Sequence, residues 1–213
     1  MTAAADGDAR SAAFFDVDGT LADTTIVDYY MFFRRRRMSP VVAELWRAAY
    51  LAKCVYYLVL DRIDRTRLNV VFYRSYAGLD AADIREHTGD CYRNVVEPRR
   101  FVQAAPCVAE HRRAGRRVVF VTGSIDFMVE PLADALGADD VVAPSLVAAS
   151  GRFTGALDGP PIGRAEKATR IRMFAKTHDI DLTRSYAYGD SIADLPMLEA
   201  VGHPHVVNPD RPL

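Results

Sequence analysis

The stretch Phe14-Phe15-Asp16-Val17-Asp18-Gly19-Thr20 decides the fold. Its apolar residues read as a buried strand, and Asp-Gly reads as the turn that ends it. A strand that stops at a carboxylate places that carboxylate at the carboxyl edge of a sheet, where open α/β folds bind ligands. Residues two apart on a strand point the same way. Asp18 already lies on the turn, so the two acids can take different jobs, one attacking and one moving protons. Taken alone, the segment also reads as an ordinary strand-ending turn with a second acid at the surface.

Working outward, three more elements follow. Val118-Val119-Phe120-Val121-Thr122-Gly123-Ser124 is an apolar strand ending in a hydroxyl residue. Gly163-Arg164-Ala165-Glu166-Lys167 sets a lone Lys at the head of a helix. Tyr188-Gly189-Asp190-Ser191-Ile192-Ala193-Asp194 is again a strand ending in carboxylates. Each is weak alone; together, with three of the four at strand ends, they argue against chance.

The pattern predicts strands over Ala12–Val17, Val118–Thr122, Val141–Val142 and Ser185–Tyr188, with a last short one at Val206–Val207. It predicts helices over Pro98–Ala114, closed by Gly115, over Ile125–Leu136, closed by Gly137, over Arg164–His178, and through Leu198. Leu146–Ala149 and Phe153–Leu157 read as a hairpin about Ser150-Gly151. Strands alternating with helices predict an α/β fold, a parallel sheet with helices on both faces.

At 213 residues the chain is long enough for one such domain with an insertion. Half the residues are apolar and 26% are charged, which suits a globular protein. A net charge of −1 excludes the basic surplus of a general nucleic-acid binder, so no nucleic-acid partner is expected. Cys54, Cys91 and Cys107 stand at no metal-ligand spacing and read as reduced thiols of a cytoplasmic protein. Met1–Arg10 has no apolar core, so it reads as a flexible tail and as neither a signal nor a transit peptide. His87, His111 and His178 read as surface or helix-end residues, and His203-Pro204-His205 as a structural loop.

Between Thr24 and Glu97 strand alternation stops, and long apolar and aromatic runs appear at helical spacing. This predicts an inserted α-helical bundle cap over residues 25–97, with the core in 11–24 and 98–213. Val41–Leu60 is very apolar but carries Glu44, Arg47 and Lys53, three charges in twenty positions, which argues against a membrane span. Arg34-Arg35-Arg36-Arg37 beside Tyr29–Phe33 reads as the solvated end of a cap helix. A sharper reading is a peripheral membrane or lipid contact through the cap. The cap's aromatic residues would also suit a homodimer contact.

Asp-Val-Asp-Gly-Thr resembles the first motif of the haloacid dehalogenase superfamily, and the other three elements follow in that family's order. The resemblance runs from about Ala12 to Asp210 and is nearest the phosphoserine-phosphatase-like branch. It implies a Rossmann-like sheet with a helical lid, and a phosphomonoester hydrolase working through an aspartyl-phosphate. Asp16 would be the nucleophile. Asp18 would protonate the leaving oxygen and then activate water. Thr122 would hold a phosphoryl oxygen, helped by backbone N–H groups at a helix start, and Lys167 would neutralise charge on Asp16 and the phosphoryl group. Mg²⁺ would be the cofactor, since a hard cation between two anions makes their reaction feasible. Its ligands would be Asp16, Asp190, the backbone carbonyl of Asp18, and Asp194, directly or through water. Asp194 also reads as a first-turn acid on its helix.

For the substrate, Gly123 reads as a place of close backbone approach, and Ser124 as either a substrate contact or an N-cap. Thr25 stands where the resembled branch carries a Glu that pairs with an ammonium group. Arg74, with Arg65 and Arg67, is a candidate for a substrate carboxylate. The partner implied is a small phosphomonoester, while Thr25 argues against phosphoserine itself and the aromatic cap leaves room for a lipid-like ester. The alternatives are a phosphotransferase or mutase of the same chemistry, and a membrane- or partner-binding module.

Overall fold

The structure is a computed structural model that describes residues 10–63 and 65–209. The tail expected over Met1–Arg10 lies outside the described residues except for Arg10, which bridges to Ile180.

Strand β1 (Ala12–Phe15) is buried throughout. It pairs in parallel with β2 (Arg117–Val121) and with β6 (Tyr186–Gly189), in the registers Phe15↔Phe120 and Phe15↔Tyr188. With β3 (Asp140–Val142) and β7 (His203–Val206) they form a five-stranded sheet, ordered β3-β2-β1-β6-β7 and parallel throughout. Side-chain alternation feeds two cores. Ala13, Phe15, Val118 and Phe120 face helices α6 (Ala104–Arg113) and α7 (Asp126–Leu136). Ala12, Phe14, Val119 and Val121 meet Ile171 of α8 (Ala165–His178) and Met197 and Leu198 of α9 (Leu195–Leu198). Parallel pairing brings the carboxyl ends of β1, β2 and β6 to one edge of the sheet.

The chain between β1 and β2 is helical, as expected. It runs through α1 (Ile26–Arg36), α2 (Pro40–Ile63), α3 (Arg65–Tyr73), α4 (Ala81–Glu86) and α5 (Thr88–Cys91). Tyr30 joins the first three of them, with its ring 5.4 Å from Tyr50 and 5.6 Å from Phe72, and 5.0 Å from Tyr76 just beyond α3. The predicted hairpin forms as β4 (Ser145–Ala149) and β5 (Arg152–Asp158) and docks on this helical segment through Gly78 N–H to Phe153 O, 2.8 Å, and Phe153 N–H to Leu79 O, 2.9 Å. The arginine run is not simply solvated: Arg35 reaches Glu44, while Arg36 and Arg37 share Asp83. Among the described residues, no helix is long and apolar enough to cross a membrane.

Several expectations are corrected. The helix expected from Pro98 begins at Ala104. The residues before it pair instead with the chain leaving β1, through Asp23 N–H to Arg99 O and Phe101 N–H to Leu21 O. His203-Pro204-His205 is strand, not loop; among the described residues β7 pairs only with β6, and such an edge position tolerates the missing N–H of Pro204. His111 is at a helix end but is 4% exposed, not a surface residue.

Candidate active site

Asp16 follows β1 directly, and its N–H donates to Tyr188 O at 2.9 Å, so the sheet itself fixes its position. Lys167, from the first turns of α8, is 5% exposed and donates to Asp16 Oδ1 and, at 2.6 Å, to Asp194 Oδ1. Asp194 Oδ2 accepts from the N–H and hydroxyl of Ser191, at 3.1 and 2.8 Å. Thr20 Oγ1 donates to Asp190 Oδ1 at 3.2 Å. Gly19 makes this crowding possible: at φ +90°, a Cβ there would lie 2.3 Å from Asp190 Oδ2.

One carboxylate oxygen from each of Asp16, Asp190 and Asp194 lies within 4.8 Å of the others. Two of these acids, Asp16 and Asp194, hold the Lys167 ammonium between them. Burial pushes the Asp16 carboxyl up to about 8, against the pull of Lys167, and Asp194 and Asp190 add repulsion. Burial opposes charge on Lys167 too, but Asp16 and Asp194 outweigh it and hold the ammonium protonated. For Asp194, Lys167 and Ser191 outweigh burial and lower its value. An all-oxygen donor set with surplus negative charge fits a hard divalent cation.

The Asp18 side chain is not part of that trio. Its Oδ1 accepts from Thr24 Oγ1 at 2.7 Å and from Tyr29 Oη at 3.0 Å, and its Oδ2 from Ser124 Oγ at 2.5 Å. Burial, then the Asp18 charge, raises Tyr29 well above the usual phenol range, so it stays a donor. Ser124 is therefore a partner of Asp18, and the N-cap of α7 is Ile125. Thr122 is buried at the end of β2, with its hydroxyl accepting from Ser124 N–H at 3.0 Å.

A cavity of about 400 Å³ opens over these groups. Asp16, Asp18, Thr122, Gly123, Ser124, Lys167 and Asp194 line it together with residues of α1, α2 and α3. Tyr73 Oη closes the seam by donating to Gly123 O at 2.7 Å. Two candidates stand apart. Thr25 lines the cavity, but its N–H and hydroxyl both donate to Asp28 Oδ2, at 2.9 and 2.7 Å, which caps α1. Arg74 is exposed, against β5, and does not line the cavity. The side chains of Arg65 and Arg67 lie outside the described residues. Sequence reasoning missed Thr24 and Tyr29, since hydroxyls inside an aromatic run carry no signal of what they face. Thr20 and Ser191 lay within quoted motifs but had been given no role.

The carboxyl edge of the parallel sheet thus gathers a buried Asp-Lys pair, further acids and a hydroxyl beneath a helical roof. The chain belongs to the haloacid dehalogenase-like hydrolase family, whose model matches residues 13–199. It is 37% identical to a probable phosphatase of Mycobacterium tuberculosis, covering 96% of this chain and 71% of that one. It is 30% identical to a phosphoserine phosphatase of Streptomyces coelicolor, covering 91% and 43% respectively. Among solved structures, a Bordetella pertussis protein of unknown function superposes with a TM-score of 0.79 at 25% identity, covering 95% and 92% of the two chains. A phospho-aspartyl intermediate analogue of phosphoserine phosphatase shares the fold, with a TM-score of 0.68 at 19% identity and coverage of 92% and 86%. By family and relatives this chain is a phosphatase.

Proposed function

We propose that the chain hydrolyses a small phosphomonoester through an aspartyl-phosphate on Asp16, with Mg²⁺ as cofactor. The observation that carries this reading is Asp16 itself, fixed by the sheet at the floor of a roofed cavity and paired with a buried lysine. An Asp16 oxygen attacks phosphorus, and the bond from phosphorus to the ester oxygen breaks. Asp18 gives that oxygen its proton. Asp18 then takes a proton from the water that attacks the aspartyl-phosphate, freeing Asp16 and inorganic phosphate. Thr122 holds a phosphoryl oxygen, and Lys167 balances charge that would otherwise repel the substrate. Asp16, Asp190 and Asp194 would hold Mg²⁺, with the backbone carbonyl of Asp18 beside them. The ion would neutralise negative charge on the nucleophile and the phosphate.

The reading puts the chemistry in residues 11–24 and 98–213 and the lid in 25–97. A lid excludes water from the reacting groups. Three free thiols support the cytoplasm as its setting. The test is phosphate release from a panel of esters with Mg²⁺ or EDTA, for the native chain and Asp16→Asn. Release that needs Mg²⁺ and falls by about four orders of magnitude in the variant, with melting temperature kept, supports the reading. Near-native turnover by Asp16→Asn would show that another group attacks.

A further inference from the structure

We propose that the leaving group is an alcohol with an apolar body, so that the substrate is an amphiphilic phosphomonoester. This rests on the hydrolase reading above and names its substrate class. What carries it is the part of the cavity wall that helices α1, α2 and α3 supply. Ile26, Val27, Met31, Leu51, Cys54 and Leu68 form it. The polar side chains among them are already engaged. Thr25 bonds to Asp28, Asp28 also accepts from Arg99 Nη1 at 2.7 Å, and Tyr57 Oη shares a proton with Ser75 Oγ at 3.3 Å. Asn69 lies over the Gly123 backbone at the phosphate end.

Among the described residues that line the cavity, Lys167 is the one cation, and Asp16 and Asp194 both hold it. Nothing described on that wall can meet a substrate carboxylate. An amino-acid phosphate would set its carboxylate against an apolar surface and beside Asp28, which is unfavourable unless it is paired. An alkyl body instead gains from leaving water there.

Exposed apolar side chains lie beside the cavity. Leu51 lines it and is 51% exposed, so it forms part of the rim. Val55, one helical turn on, is 62% exposed, and Val41 and Leu45 extend the apolar outer side of α2. A chain longer than the cavity could therefore leave along apolar surface.

The test is kcat/KM for phosphate release from monomeric n-alkyl phosphates, ethyl to octyl, beside O-phosphoserine. We expect a rise of about fourfold per methylene across the part of the series that the cavity holds, with octyl phosphate more than tenfold above O-phosphoserine. Met31→Glu should flatten the rise and Met31→Leu should restore it. Leu51→Gln, at the rim, serves where the glutamate variant fails to fold. A flat series, or O-phosphoserine as the best ester, overturns the inference while metal-dependent release still upholds the hydrolase. No release from any ester overturns both. Lysophosphatidate in mixed micelles, run beside monomeric octyl phosphate, separates the sources. Faster release from micelles assigns the apolar body to a lipid at an interface, and faster release from the monomer assigns it to a soluble ester.

Discussion

At the scale of single residues, Asp18 shows how a buried acid can both give and take a proton. Thr24, Tyr29 and Asp18 Oδ1 form a triangle of contacts at 2.7, 3.0 and 3.0 Å. The two hydroxyls bring two protons to three links. A proton on Asp18 completes the third, and its loss leaves a carboxylate still held by donors. Both states are thus accommodated with little movement, as an acid that later serves as a base requires. If Tyr29 acts through Asp18, Tyr29→Phe should lower kcat about tenfold, a modest share of what general acid–base catalysis supplies. Steady-state rates of Asp18→Asn, Tyr29→Phe and the double variant check this. The double variant should be little worse than Asp18→Asn alone, because residues acting through one group are not additive. Fully additive losses would show that Tyr29 acts elsewhere.

At the scale of elements, α3 lies hard against the β2–α7 turn. A Cβ at Gly123 would sit 2.7 Å from Asn69 Nδ2 and 2.8 Å from the Ile162 carbonyl oxygen. The second contact is backbone and cannot swing aside, so Gly123→Ala should destabilise the fold by about 1–3 kcal/mol and lower kcat/KM; urea titration and phosphate release measure both. Helix α6 supplies a pH-dependent contact. His111 Nε2 donates to Tyr188 Oη at 2.8 Å, while Arg116 points a donor at Nδ1, 3.4 Å away. Burial first, then Arg116, pushes His111 down to about 4, with Glu110 opposing. The unfolded chain takes this proton near 6.5 and the folded one near 4. The histidine's contribution is therefore complete above about 6.5 and is lost as pH falls towards 4. The native melting temperature should fall across that window, and more steeply than that of His111→Gln; equal slopes would exclude His111 as the cause. Most of the sheet was legible because apolar runs bounded by Gly and Asp carry a clear period. Helix α6 was misplaced at its start because Arg99–Phe101 pairs with Leu21–Asp23, far away in sequence, which no local pattern encodes. The end of β7 was legible at Val206, but its first three residues, His203-Pro204-His205, read as loop because Pro204 is disfavoured in strands away from an edge. The acids, Thr122 and Lys167 were legible at strand and helix ends, whereas Thr24, Tyr29 and the course of Arg74 away from the cavity depend on how the helices pack.

At the scale of the whole molecule, folding gathers Asp16, Lys167, Asp190 and Asp194 from both halves of the chain into one partly dry site. Hydrophobic packing on both faces of the sheet holds them there, although the carboxylates of Asp16, Asp190 and Asp194 repel one another. A divalent cation bound only by the folded chain removes that repulsion, so metal and fold should be linked. At a concentration a hundred times its dissociation constant, such an ion adds about 2.7 kcal/mol. For a chain of this size that corresponds to a rise in melting temperature of about 5–10 °C. Scanning calorimetry in EDTA and in saturating Mg²⁺ measures it. Asp190→Asn should lose most of the rise and should melt above the native chain in EDTA, because one of the crowded charges is gone. A rise of equal size in the native chain and in Asp190→Asn would place the ion elsewhere. A variant that melts lower in EDTA would show that Asp190 supports the fold through its bond with Thr20 more than it strains it by charge.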